Sequence, residues 1–264
     1  MSSSTTAATP MAKQQPRSGP LARTSRSTAT RVLAGLLLAG ALAYSTWSLE
    51  AFLPTGLSPR TTYVSELAAE DQPYGTFFRT LDLIAGLLVL AGALGALLGR
   101  TTPLGRTAPL GRAARRGWLP AVGWAGIALF GAATAADSRL PLSCAATADP
   151  GCLARERAGD VPWTHSAHAV SSSVAVTGAL IGMVLLTFVA RRHATAPRLA
   201  LARTGPVLVV LELLATGWTL ASVAAFDAGR GTWGLGIAQR LQLLFIAVWL
   251  VVLAWSAVSE ARRE

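Results

Sequence analysis

The feature that most limits what this chain can become is a set of six apolar stretches, near 32–53, 79–99, 117–137, 164–190, 204–226 and 235–258. About 20 residues of α-helix, rising 1.5 Å per residue, cross a hydrocarbon core of about 30 Å, and each stretch is that long. Inside that core every backbone N–H and C=O must find a partner within the protein, so a spanning segment is either a helix or a strand of a closed barrel. The stretches are continuously apolar rather than alternating, which selects helices. The sequence therefore predicts an all-α membrane protein, a six-transmembrane-helix bundle over 32–258, between a basic tail at 1–31 and a short tail at 259–264. Composition agrees: 52% of the 264 residues are hydrophobic and 14% are charged, too apolar for a soluble domain of this size.

Residues 1–31 are rich in Ser, Thr, Ala and Pro, lack acids, and carry Lys13, Arg17, Arg23, Arg26 and Arg31. Such a segment is expected to be disordered. It also resembles an organellar transit peptide, but the hydrophobic remainder favours a bacterial cytoplasmic tail. The first apolar stretch has its own rival reading, a signal peptide with an A-x-A site at "ALA", residues 41–43. Apolar character resumes through Trp47, Leu49 and Phe52, which favours an uncleaved helix. With the N-terminus inside, sixteen of the 23 basic residues fall on the cytoplasmic side, and ten of the 13 acids lie at or beyond the opposite edge. The positive-inside rule thus predicts that both termini are cytoplasmic. The net charge of +10 does not signal nucleic acid, because the arginines punctuate apolar runs instead of forming a basic face. Lys13 is the sole lysine, and Ala, Gly and Arg abound, a bias of GC-rich bacterial genomes. The expected location is the bacterial plasma membrane, with membrane lipids as partners and no nucleic acid.

Counting about 20 residues outward from each arginine boundary estimates how deep each polar group lies. His165 and His168 fall in the outer interfacial zone and Asp82 just inside it. Asp137, Asp227 and Glu50 end helices at the same level, and Gln239 and Arg240 open the last one. Ionisable groups at that depth normally face the bundle interior or a water-filled cavity. His165, His168 and Ser172, spaced three and four apart, share a helical face. The convergence predicts an extracytoplasmic pocket lined by Glu66, Asp82, Asp137, His165, His168 and Arg240, whereas any one of these alone could simply be wet. Glu212 differs. It sits nine residues beyond Arg203, about 13 Å along the axis and near the midplane, where a carboxyl group must be paired or neutral. It reads as a proton relay or, preferably, as a neutral acid hydrogen-bonded to a neighbouring helix. "GALLG", Gly95 to Gly99, fits the small-xxx-small pattern of close helix contacts. "TTPLGRTAPLGR" reads as a basic loop near anionic headgroups.

Cys144 and Cys152 enclose "CAATADPGC" with a Pro-Gly turn, and on the oxidising side of the membrane they are expected to form a disulfide. Their spacing is not that of a redox-active pair. Two histidines three apart with a nearby aspartate suggest a metal site of Asp137, His165 and His168, zinc for example, with a position left for water. Such a centre could hydrolyse a lipid ester or amide. Without metal, a histidine–carboxylate pair could act as general base for Ser65, Ser171 or Ser172; no GxSxG motif supports that. Histidines on one helix face cannot ligate haem from both sides, and His193 falls on the cytoplasmic side. In the first outer loop Ser58-Pro59 reads as the start of a short interfacial helix carrying Tyr63, Ser65 and Glu66.

"YVSELAAEDQPYGTFFRTLD", "LFGAATAADSRLPLSC", "WTHSAHAVSSS" and "GIAQRLQLL", in this order among six hydrophobic helices, resemble the bacterial family called domain of unknown function 998, frequent in actinobacteria. The resemblance spans roughly 32–258. It implies a six-helix architecture and signature positions at Ser65, Glu66, Asp82, Asp137 and His165 or His168, and it supplies no activity. A more distant similarity to ceramidase-like membrane hydrolases, which hold zinc with intramembrane Ser, Asp and His, is weakened by six helices in place of seven and by the lack of HxxxH. The reading that follows is a polar pocket, Ser65 included, handling a lipid or other amphiphile, with metal-dependent hydrolysis as its catalytic form. A scaffold or accessory subunit is the alternative, and a transporter, motivated by Glu212, the third.

Overall fold

The computed structural model describes residues 20–99, 114–192 and 200–261. Most of the expected disordered tail, the loop "TTPLGRTAPLGR" and His193 lie outside these. The elements run α1 (Pro20–Tyr44), η1 (Thr46–Ala51), η2 (Val64–Ala68), α2 (Gly75–Gly99), α3 (Ala114–Asp137), α4 (Pro150–Ala158), α5 (Trp163–Arg192), α6 (Ala200–Asp227) and α7 (Leu235–Ala261), where η marks a 3-10 helix. There is no strand among the described residues. Six spans are long and apolar enough to cross a membrane: Thr28–Ala51, Gly75–Leu98, Trp118–Asp137, Trp163–Arg192, Ala200–Asp227 and Leu235–Ser259. Each coincides with an apolar stretch of the sequence. One boundary differs: α1 begins at Pro20, so residues 20–31, expected as disordered tail, are helical. Pro20 stands at the first helical position, where its fixed φ suits the start of a helix. Once the apolar turns beyond Arg31 nucleate a helix, adding residues to its end costs little.

The six long helices close a ring. α1 packs on α2, α2 on α3, α3 on α5, α5 on α6, α6 on α7, and α7 back on α1. The core between them holds Leu37, Val89, Trp124, Phe130, Met183, Leu186, Trp249 and Leu253, all buried. Large apolar side chains also cover the outside: Leu42, Val207, Leu214, Leu220 and Val251 are exposed. A soluble domain would not display such a surface, and a bilayer solvates it. Trp118 and Trp255 are exposed near one end of the ring and Trp163 and Trp233 near the other, the placement of interfacial aromatic belts.

Along the α2–α3–α5 side the backbones approach closely. A Cβ on Gly126 would lie 2.8 Å from the Gly178 carbonyl oxygen and 2.9 Å from the Gly182 nitrogen, and one on Gly86 would lie 2.6 Å from the Gly131 oxygen. Small residues permit this contact, and dispersion between the backbones rewards it. Gly95, the first member of "GALLG", has open space around it; that motif makes no such contact through Gly95.

One end of the ring carries nearly all the polar connections. There η1 and η2 lie between α1 and α2, and a longer segment with α4 lies between α3 and α5. The "ADPG" stretch, read as a turn, starts a helix instead. The Asp149 carboxylate accepts from the N–H groups of Gly151 (2.8 Å) and Cys152 (3.1 Å), Pro150 fills the first helical position, and Gly159, with φ 72°, ends α4. Cys144 and Cys152 form a disulfide with Cα atoms 5.9 Å apart. The short helix of the first loop begins later than Ser58-Pro59 suggests. It is η2, with Tyr63 as its N-cap, whereas the Ser58 carbonyl accepts bonds from Thr61 and Thr62 in a turn.

Candidate functional site: a polar cavity at the loop-bearing end

Beneath these connections lies a cavity of about 130 Å³. Its wall is built from Tyr44 of α1, Trp47 of η1, Ser65 and Leu67 of η2, Phe78 and Asp82 of α2, Thr134 and Asp137 of α3, Ser172 and Ala175 of α5, and Gln239 and Gln242 of α7. Spacing explains why these side chains meet. Phe78 and Asp82, Ser172 and Ala175, and Gln239 and Gln242 are each three or four apart, so α2, α5 and α7 each turn a paired face inward, while Tyr44 ends α1 and Trp47 follows it in η1.

Asp137 is the best-held group. Oδ1 accepts from Ser171 Oγ, Oδ2 accepts from Ser172 Oγ at 3.1 Å, and His168 Nδ1 lies 3.1 Å from Oδ1. His168 Nδ1 also lies 3.0 Å from the Leu140 carbonyl oxygen, which can only accept, so Nδ1 carries the hydrogen. Its Nε2 faces Ser172 Oγ at 3.3 Å. Ser172, His168 and Asp137 thus stand in the order of a proton relay. The Ser172 hydroxyl has one hydrogen and gives it to Asp137 Oδ2, so its contact with Nε2 carries no proton, and the bonds to Asp137 tie α3 to α5. In a working relay the hydroxyl proton would be directed to the imidazole alone.

Asp82 is the opposite case. It lines the cavity yet makes no hydrogen bond or ion pair among the described residues. The Trp47 indole Nε1, buried in the same wall, has no acceptor. The Tyr44 ring stands edge-on to Phe130 at 5.2 Å between centroids, and its hydroxyl too has no partner among the described residues.

Four of the residues expected to line a pocket brace it instead. Glu66 is fully buried, and its carboxylate accepts from Tyr63 N–H (3.0 Å), Thr147 N–H (2.7 Å) and the Thr147 hydroxyl, locking η2 to the disulfide loop. Burial pushes the Glu66 carboxyl above its ordinary value, against the lowering effect of those donors. Tyr63, packed against Phe226, is also raised by burial and by the nearby Asp227 carboxylate. Arg240 is buried in a two-pronged pair with Glu50, with nitrogens 2.6 Å from each carboxylate oxygen, and it also donates to the carbonyls of Thr62 and Gly236. It clamps α7 to η1 and the first loop. His165 Nδ1 accepts from Ser143 N–H at 3.1 Å and lies 2.9 Å from Ser143 Oγ, while Nε2 lies 3.7 Å from Glu156 of α4. His168 reaches the cavity only through Asp137 and Ser172.

The metal set of Asp137, His165 and His168 is therefore not assembled. One helical turn separates the two histidines, yet His165 turns to the disulfide loop and His168 to α3. Among the described residues no group of three or more His, Cys, Asp or Glu side chains could hold a metal ion. Glu212 is fully buried and stands apart from the cavity wall. Oε1 accepts from Thr216 of its own helix at 3.2 Å, and Gln242 of α7 donates to that same threonine at 2.8 Å, while Oε2 has no partner. The link to a neighbouring helix passes through Thr216. The depth count missed Tyr44, Trp47, Phe78 and Thr134. For Phe78 the signal that could have found it is the four-residue spacing that sets it with Asp82.

Comparison with curated proteins and with solved structures returns no match. Residues 37–256 match the family described as protein of unknown function, DUF998. The match takes in the four inner spans whole, most of the first and last, and every residue of the cavity, and the chain belongs to that family.

Proposed function

We propose that this protein holds the polar part of a lipid or other amphiphile in the cavity at the loop-bearing end, and that this end faces the extracytoplasmic side of a bacterial plasma membrane. The observation that carries the reading is the cavity wall itself, where Asp82, the Trp47 N–H and the Tyr44 O–H have no partner within the protein. Of these, the Trp47 N–H is withdrawn from water altogether; a buried donor without a partner costs about 1–3 kcal/mol, and an occupant that accepts from it recovers that cost. The orientation is supported by the arginine-poor, acid-rich character of the same end and by the disulfide there. Binding is favoured over hydrolysis because the histidines that would hold a metal are committed to bracing, and Ser172 is held by Asp137.

The competing role is a scaffold whose polar groups merely tie helices together. Replacing Ala175, which lines the cavity, with Phe separates the two by filling the space without touching a charge. Protein purified in mild detergent is examined by native mass spectrometry for bound lipid. Wild type retains a lipid that A175F, with unchanged helix content and elution, has lost. Equal retention by both, or none by wild type, removes the binding role.

A further inference from the structure

Resting on the ligand-site reading, we infer that the cavity takes an alkylammonium group, with Asp82 as its counter-ion and Tyr44, Trp47 and Phe78 as its aromatic wall. The charge inventory points there. Two carboxylates, Asp82 and Asp137, line the space, and no Lys, Arg or His does. Asp137 is already matched by His168 and two serine hydroxyls. The two arginines nearest the wall are engaged elsewhere: Arg240 pairs with Glu50, and Arg79 donates to the carbonyls of Ala68 and Ala69. An anionic ligand would meet only acidic side chains, whereas a cation would give Asp82 the partner it lacks among the described residues.

Size and surface narrow the class. The space, about 130 Å³, is small and suits a headgroup rather than an acyl chain. Aromatic rings beside a carboxylate are the surroundings in which organic ammonium ions bind, held by ring quadrupoles as well as by charge. The free Trp47 N–H and Tyr44 O–H add two donors suited to an oxygen carried a few bonds from the nitrogen. That combination describes an amino alcohol such as ethanolamine, either free or as the headgroup of a phospholipid.

The test uses the full-length protein in nanodiscs or detergent and a panel of defined probes: phosphatidylethanolamine, phosphatidylglycerol, diacylglycerol, and free ethanolamine and glycerol. Native mass spectrometry scores lipid retention, and thermal shift scores the free compounds. The expected result is retention of phosphatidylethanolamine at least about tenfold above phosphatidylglycerol, a preference that D82N abolishes. A thermal shift with free ethanolamine, absent with glycerol, would assign the site to soluble amines as well as lipid. Equal retention of phosphatidylglycerol or diacylglycerol overturns the ammonium assignment and leaves the cavity as a ligand site. No retention from any class overturns both. The wild-type preference alone decides the matter if D82N proves unstable.

Discussion

At the scale of single residues, polar groups of similar depth divide into those that brace and those that stay free. Glu66 shows the first kind. Three donors converge on a carboxyl group that burial holds above its ordinary value. A raised value means that the folded state holds the proton more tightly than the unfolded chain does. The stability contributed by this group is complete below the ordinary carboxylate range and is lost as pH rises through the raised value. Thermal unfolding in detergent should show wild type losing stability in that window, and E66Q should remove the step. E66Q should also cost about 1–3 kcal/mol, since an amide cannot accept from all three donors. A pH dependence unchanged in E66Q would contradict the account. Asp82 and Asp137, whose depth follows from where their spans begin and end, both lie in the cavity wall. The sequence could not show that Glu66, His165 and Arg240 turn away from the cavity. Their direction depends on partners distant in the chain, Thr147, Ser143 and Glu50, which the disulfide loop and the ring closure bring to them.

At the scale of elements, the six spans were legible because a continuous apolar run of bilayer length leaves one local solution. α4 was legible in principle, through Asp149, Pro150 and Gly159, but a short stretch with Pro and Gly reads equally well as a turn. Helix contacts were not legible. Glycine recurs throughout the chain, and "GALLG" looked as good a contact motif as the pairs that pack. The structure separates them. G126A places a Cβ against the backbone of α5, whose atoms cannot step aside, whereas G95A meets open space. G126A should destabilise the protein by about 1–3 kcal/mol, and G95A should leave it unchanged within about 0.5 kcal/mol. Both are read from unfolding midpoints in the same detergent. Equal effects would mean that the close approach of α3 and α5 is not what holds that side of the ring.

At the scale of the whole molecule, an apolar ring with exposed tryptophans at both ends carries at one of them a cavity with polar side chains in a largely apolar wall. The bracing network surrounds that cavity: Glu50–Arg240 on one side, Glu66 with the disulfide loop above, and Asp137–His168 on another. Under the proposed reading this fixed polar bonding holds the site open, and orientation decides which side of the membrane it serves. Both cysteines are in the disulfide, so an introduced cysteine is the sole free thiol. The most direct measurement is labelling of S65C, in the cavity wall, with a membrane-impermeant maleimide on intact cells. Intact cells should be labelled, and labelling should slow sharply when A175F is added to the same chain. Labelling only after the cells are lysed, or labelling indifferent to A175F, would contradict the proposed reading.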